Sequence, residues 1–187
     1  MTLTHQNIEQ LLEQCLKGDQ NAQLEIYNRY YSAMYNTAYR IVKDSFDAED
    51  IMQDSFLTAF TKLNSLKVPA TFGAWLKRIV INNSIYHYRK NNTFDDVPLD
   101  DVLYKIENQD QIDMTEDYQF TNLKATQVLQ TMDLLKENYK VSLTLHLIEG
   151  YDYEEISEIM KISNANCRTM ISRAKDSLRR KLISIAS

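Results

Sequence analysis

Near the end of the chain, Asn164, Asn166, Arg168, Thr169 and Arg173 alternate with Cys167, Ile171 and Ala174. If the apolar set turns to a core, the polar set turns outward on a helix. An arginine fork matches the major-groove edge of guanine and an asparagine amide that of adenine, and either also takes phosphate. A second stripe, Arg78, Asn82, Tyr86 and Arg89, runs opposite Trp75 and Ile79. Cations interleaved with rings fit strand-separated nucleic acid, the arginines on phosphate and the rings or amides on exposed bases. Tyr86 and Tyr88 also fit as packing residues. A third set, Asp50, Gln53, Asp54 and Leu57, stands at i, i+3, i+4 and i+7. It reads either as an ordinary acidic face or as a surface for a basic protein partner, since a solvated face seldom needs a leucine. Opposite charge would steer the encounter more than it would tighten it. No histidine lies in residues 47–60 and nothing completes a coordination shell, so no metal site is expected there.

Helices must position all three sets. With 3 Gly and 2 Pro in 187 residues the chain lacks the turn chemistry of a sandwich or barrel, which leaves an all-α protein. A short helix is expected near Ile8–Leu16. Leu24, Tyr27, Tyr31, Met34, Tyr35, Ala38 and Ile41 then recur at helical spacing. A further helix should start near Asp47 with Ala48, Ile51, Met52, Phe56, Ala59, Phe60 and Leu63 inward. After Lys67-Val68-Pro69-Ala70, another runs from about Phe72 to Lys90 with Phe72, Trp75, Leu76, Ile79 and Val80 inward. This closes a first helical domain, 1–92.

Residues 93–121 lose periodicity and hold nine acids against one lysine, the pattern of an acidic flexible linker. A second domain, 122–187, follows. Leu123, Val128, Leu129, Met132 and Leu135 are assigned to one helix, and Val141, Leu143, Leu145 and Ile148 to the next. Gly150 suits a helix C-terminus. Asp152 with Glu155 makes a capping box for a helix to Met160. Ser163 is a favoured N-cap for a helix reaching about Lys181. Ile156, Ile159, Ile162, Cys167, Ile171, Ala174 and Leu178 should face inward. Two helices joined so tightly, the second rich in Arg and Asn, describe a helix-turn-helix.

The net charge of −5 argues at first against a nucleic-acid binder, but charge is segregated. Residues 61–92 carry six basic and no acidic groups, and 161–187 carry seven basic and one acidic. Local field rather than net charge draws in phosphates. No stretch approaches 18 apolar residues, and MTLTHQNIEQ lacks the features of a secretion signal, so a cytoplasmic protein without membrane insertion is expected. Cys15 and Cys167 form no metal-binding spacing and read as reduced thiols, Cys167 as a core residue. His5, His87 and His146 are scattered, with His87 expected on the solvated surface. No phosphate loop, catalytic constellation or metal motif is visible, so no enzyme, cofactor or metal is expected.

Three segments, DAEDIMQDSFLTAF (47–60), FGAWLKRIVINNSIYHYRK (72–90) and EGYDYEEISEIMKISNANCRTMISRAKDSLRRKL (149–182), resemble bacterial RNA polymerase sigma factors of the extracytoplasmic-function (ECF) group. They occur in that family's order, around the acidic linker. The resemblance implies that Asp50, Gln53, Asp54 and Leu57 bind the β′ clamp helices of core polymerase, with the β flap as a second core contact. It implies that Arg78, Asn82, Tyr86 and Arg89 serve the −10 element, Asn82 reading the non-template strand with the loop before Phe72 while one base leaves the stack. Asn164, Asn166, Arg168, Thr169 and Arg173 would read the −35 element, with Arg179, Arg180 and Lys181 on backbone or water. The linker would either mimic RNA in the polymerase's RNA channel or act as a plain tether, and an anti-sigma factor would be a further partner.

Departures touch the readers. Ala165-Asn166-Cys167-Arg168-Thr169-Met170 stands where the family usually has Gly-Thr-Val-Lys-Ser-Arg, so a contact made by the basic residue at Met170 is expected to be absent. Tyr86 stands where Asp is frequent. The function expected is a sigma factor that directs initiation and assists melting. The alternatives are a stand-alone helix-turn-helix regulator and a helical adaptor that binds only proteins.

Overall fold

A computed structural model describes residues 7–91 and 118–186, with side chains described for 7–90 and 124–185. All regular structure among the described residues is helical. The chain divides into two compact units, Met1–Thr93 and Phe94–Ser187. Residues 93–117 of the expected linker lie outside the described residues, as does the side chain of Leu123.

The first unit packs α1 (Ile8–Leu16), α2 (Gln20–Val42), α3 (Ser45–Thr61) and α4 (Phe72–Asn91) around one core. Short aspartates set the starts. Asp19 accepts the backbone N–H groups of Asn21 at 2.8 Å and Ala22 at 3.3 Å, and Asp44 accepts those of Phe46 and Asp47, each at 2.9 Å. This second cap starts α3 at Ser45, ahead of the expected Asp47, because Asp44 satisfies the orphan donors of the first turn. Only Lys43, in the left-handed region at φ 58°, and Asp44 separate α2 from α3.

Burial follows the expected faces of α3, where Ala48, Ile51, Met52, Phe56 and Ala59 are buried, as is Leu63 just beyond. On α4, Phe72, Leu76 and Val80 are buried, whereas Trp75 and Ile79 are partly covered at its edge. The face of α2 differs from the apolar row read in the sequence. Ala22, Ile26, Met34, Thr37, Ala38 and Ile41 are buried, while Leu24 and Tyr31 are exposed. Tyrosine's amphipathic ring explains the misreading. Tyr31, Tyr35 and Tyr39 stack along the rim at 6.3 and 6.1 Å between centroids, and Tyr31 donates to Glu49 Oε2 at 3.2 Å. Close approach of α2 and α4 needs Gly73, where an added Cβ would lie 3.0 Å from the Tyr30 ring.

In the second unit, α5 (Tyr118–Met132) starts before Asn122, where the sequence periodicity resumes. Leu135 lies in the turn beyond α5 yet is buried, and Leu129 is exposed. Next come α6 (Glu137–Leu143), a π-helical turn at Thr144–Ile148, α7 (Tyr153–Met160) and α8 (Asn164–Ala186). Gly150, at φ 78°, follows the π-turn. The capping box forms: Glu155 N–H donates to Asp152 Oδ1 at 2.8 Å and Asp152 N–H to Glu155 Oε2 at 3.1 Å. Val141, Leu143, Leu145, Ile156, Ile159, Met160, Cys167, Ile171, Ala174 and Leu178 make the core, with Ile162 half-buried. Helix α8 runs past Lys181 to Ala186, since nothing after Lys181 breaks it: no Gly or Pro follows.

Candidate nucleic-acid interface

The first unit presents two surfaces. On α3, Asp50, Gln53, Asp54 and Leu57 are all exposed, Leu57 at 66%. Phe46, one turn before Asp50 on the same face, is 81% exposed. The sequence reading missed it. Its i, i+4, i+7, i+11 relation to Asp50, Gln53 and Leu57 was the available signal, hidden because the helix was started too late. Gln53 is held by Glu49, to whose Oε1 it donates at 2.9 Å. Two large apolar groups among exposed carboxylates can bury hydrophobic area against a partner while the acids attract a basic one.

Helix α4 carries the second surface. Asn82 and Tyr86 are exposed, Tyr86 at 70%, whereas Arg78 and Arg89 are half-buried. Burial lowers the proton affinity of the Arg89 guanidinium from its ordinary value. The stripe is therefore graded: two outward side chains between two arginines whose stems are partly packed. Tyr86 and Tyr88 separate, since Tyr88 is 7% exposed and belongs to the core with Ile81 and Ile85. His87 is not the solvated histidine expected. It is half-buried with Nε2 3.6 Å from Asp47 Oδ1, because the first turn of α3 lies against this part of α4. Asn83 Nδ2 donates to buried Ser55 Oγ at 2.9 Å, and Ser55 in turn donates to the Ile51 carbonyl at 2.6 Å. That link ties α4 to α3.

On α8, Asn166, Arg168 and Thr169 are exposed, and Asn164 and Arg173 are half-buried. Ser163 Oγ accepts the Asn166 N–H at 3.2 Å, which caps the helix at its outward end. The left-handed Lys161, at φ 49°, makes the tight turn from α7. Arg168 Nε donates to Asn164 Oδ1 at 2.9 Å, so the two side chains act as a pair. Thr169 Oγ1 donates to the Ala165 carbonyl at 3.0 Å. Met170 is buried, so its position is an inward one in this chain. Arg179 pairs with Asp176 at 3.1 Å within the helix. Burial pushes the Cys167 thiol up in pKa, against the opposing pull of Arg168, as suits a core residue. No group of residues suited to hold a metal ion occurs among the described residues.

Comparison with known proteins covers both units. Residues 26–94 match the Sigma-70 region 2 family and residues 125–178 the Sigma-70, region 4 family. The chain is 27% identical over 187 residues to the RNA polymerase sigma-H factor of Pseudomonas aeruginosa, covering 94% of each. It is 28% identical over 182 residues to the ECF RNA polymerase sigma factor SigW of Bacillus subtilis, covering 94% of this chain and 96% of that one. Its fold is like that of CnrH, solved with the cytosolic domain of CnrY, with TM-score 0.54, 22% identity and coverage of 95% and 97%. It is also like that of the sigma factor RpoE of Bartonella quintana, solved with the anti-sigma factor NepR, with TM-score 0.52, 19% identity and coverage of 84% and 94%.

Proposed function

This chain belongs to the sigma-70 family as an RNA polymerase sigma factor directing promoter-specific transcription, and from that premise we propose how its surfaces divide the work. Asp50, Gln53, Asp54 and Leu57, extended by Phe46, dock the β′ clamp helices of core polymerase. Arg78 and Arg89 hold the phosphates of the −10 element while Asn82 and Tyr86 meet bases as the strands part. Asn166, Arg168, Thr169 and Arg173 enter the major groove of the −35 element, with Asn164 supporting Arg168. Residues 1–92 form the first functional domain, 93–121 the connection and 122–187 the second. The protein supplies recognition and melting, and nucleotide addition belongs to the polymerase.

The observation that carries this reading is Leu57, exposed among acidic and amide side chains on a unit separate from the helix-turn-helix. A stand-alone regulator needs no such face. Further contacts to the β flap through the second unit, and capture by an anti-sigma factor, complete the proposed partners; RpoE of Bartonella quintana was solved with a partner of that class. No described helix is long and apolar enough to cross a membrane, and the proposed site of action is the cytoplasm, where core polymerase works.

The test is transcription from genomic fragments by purified core polymerase with and without this protein, with 5′ ends mapped. New discrete starts are expected, and Asp50→Arg is expected to abolish them while leaving the fold intact. Absence of new starts with cognate core would overturn the proposal. Tight binding of duplex without polymerase would then point to the stand-alone regulator.

A further inference from the structure

We propose that Tyr153 is a positioning residue for base recognition: with Asn164 it holds Arg168 ready for the DNA, and so sets specificity at one base pair of the upstream element. This rests on the reading of α8 as the −35 reader and names a determinant outside that helix's outward face.

The geometry is a ring stack closed on itself. Tyr153, the first residue of α7, is half-buried and meets two groups. The His146 ring lies at 5.0 Å between centroids and 26° between planes. The Arg168 guanidinium sits 5.4 Å from the Tyr153 ring centroid, within cation–π range. His146 is itself held at both nitrogens. Nδ1 lies 3.1 Å from the Tyr151 carbonyl oxygen and Nε2 lies 3.3 Å from Lys175 Nζ. An ammonium only donates and a carbonyl only accepts, so His146 carries its proton on Nδ1 and accepts at Nε2. Lys175 is on α8, two turns beyond Arg168. The path therefore leaves α8 at Lys175, crosses His146 of the π-turn and Tyr153 of α7, and returns to α8 at Arg168.

Its effect on Arg168 is specific. The guanidinium lies over the Tyr153 ring at 5.4 Å, and Nε donates to Asn164 Oδ1 at 2.9 Å. The terminal amino groups are left as the fork for a guanine edge. An exposed arginine ordinarily loses rotamer freedom on binding; one already held loses less, and the gain for one side chain is about two- to tenfold in affinity. Because this gain is realised only where the fork is matched, it appears as discrimination rather than as general DNA affinity.

The experiment uses the full chain with core polymerase. The probe is a promoter fragment recovered by start-site mapping with the wild-type protein, together with fragments substituted singly across its upstream element. The readout is the ratio of initiation on the parent fragment to that on each substituted one, in which any loss of folded protein cancels. Arg168→Ala is expected to collapse the ratio at one base pair. Tyr153→Leu and Asn164→Ala should each lower it at that same base pair, by about two- to tenfold, and leave the others unchanged. Tyr153→Phe keeps the ring and should keep the ratio, and Tyr153→Leu combined with Arg168→Ala should lose no more than Arg168→Ala alone. If Arg168→Ala changes no ratio, the reading of α8 itself fails. If Arg168→Ala collapses a ratio that either Tyr153→Leu or Asn164→Ala leaves intact, or if the double variant is additive, positioning is overturned and the reading of α8 stands. Should Tyr153→Leu not fold, Tyr153→Met, which keeps the bulk and removes the ring, takes its place, and an unchanged ratio at the Arg168 base pair overturns positioning.

Discussion

Helices α4 and α8 carry comparable polar faces but stand differently in their units. Helix α4 is a wall of the first core: Leu76, Val80, Ile81, Ser84, Ile85 and Tyr88 are buried along it, and its arginines are half-buried. Asn83, between the outward Asn82 and buried Ser84, is spent on Ser55 of α3. Helix α8 has a buried line as well, but Arg168 bonds Asn164 on its own helix and lies over Tyr153 at the start of α7, and Thr169 bonds the Ala165 carbonyl of its own helix. The lesson is one of separability. In the proposed reading, recognition and stability share one helix in α4, within a residue or two of each other, whereas on α8 Arg168 and Thr169 are supported by local contacts and can change without disturbing the core.

The largest effect that would break this contrast is expected within α4 itself. Tyr88→Ala should cost about 3–5 kcal/mol of stability, as removal of a buried ring does, measured by denaturant unfolding of the full chain. Tyr86→Ala, two residues away, should change stability by no more than about 0.5 kcal/mol. It should nonetheless weaken binding to a strand-separated −10 segment by about 1–3 kcal/mol if the ring stacks on a base. Equal stability losses for the two would show that the face is less divided than its burial implies.

Of similar size on the recognition side, Arg168→Ala should leave stability within about 0.5 kcal/mol and reduce discrimination at its base pair by about 1–3 kcal/mol. A large stability loss would erase the distinction between the two helices.

The smallest effect concerns the cores. Burial, helped by nearby Asp19, pushes the Cys15 thiol up to about 11 from an ordinary 9.0. The folded state therefore holds this proton more tightly than the unfolded one. Its contribution is fully present below about pH 9 and is lost as pH rises towards 11. Unfolding followed across that window should show the first unit weakening, and Cys15→Ala should flatten the dependence.

Much of this architecture was legible in the sequence, and the exceptions have physical causes. The capping box at Asp152 and Glu155 and the αL glycine at Gly150 are local chemistry, and local chemistry reads directly. The face of α2 misled because Ile26 is fully buried while the more numerous tyrosines ride the rim. Phe46 escapes a reading of apolar spacing because it lies in the first turn, ahead of Asp47, and only the Asp44 cap places it on the helix. Side-chain pairings such as Asn83 with Ser55, or Tyr153 with Arg168, join residues brought together only by packing, so no spacing in the chain announces them.

Each unit also encloses one free cysteine, Cys15 in the first and Cys167 in the second, both buried. A thiol that meets an alkylating reagent only when its surroundings open becomes a timer for that opening. The chain thus carries two built-in clocks, one per unit, that mass spectrometry can tell apart without any cysteine being introduced. Run with and without core polymerase or promoter DNA, they would report which unit each partner steadies, as two separate rates.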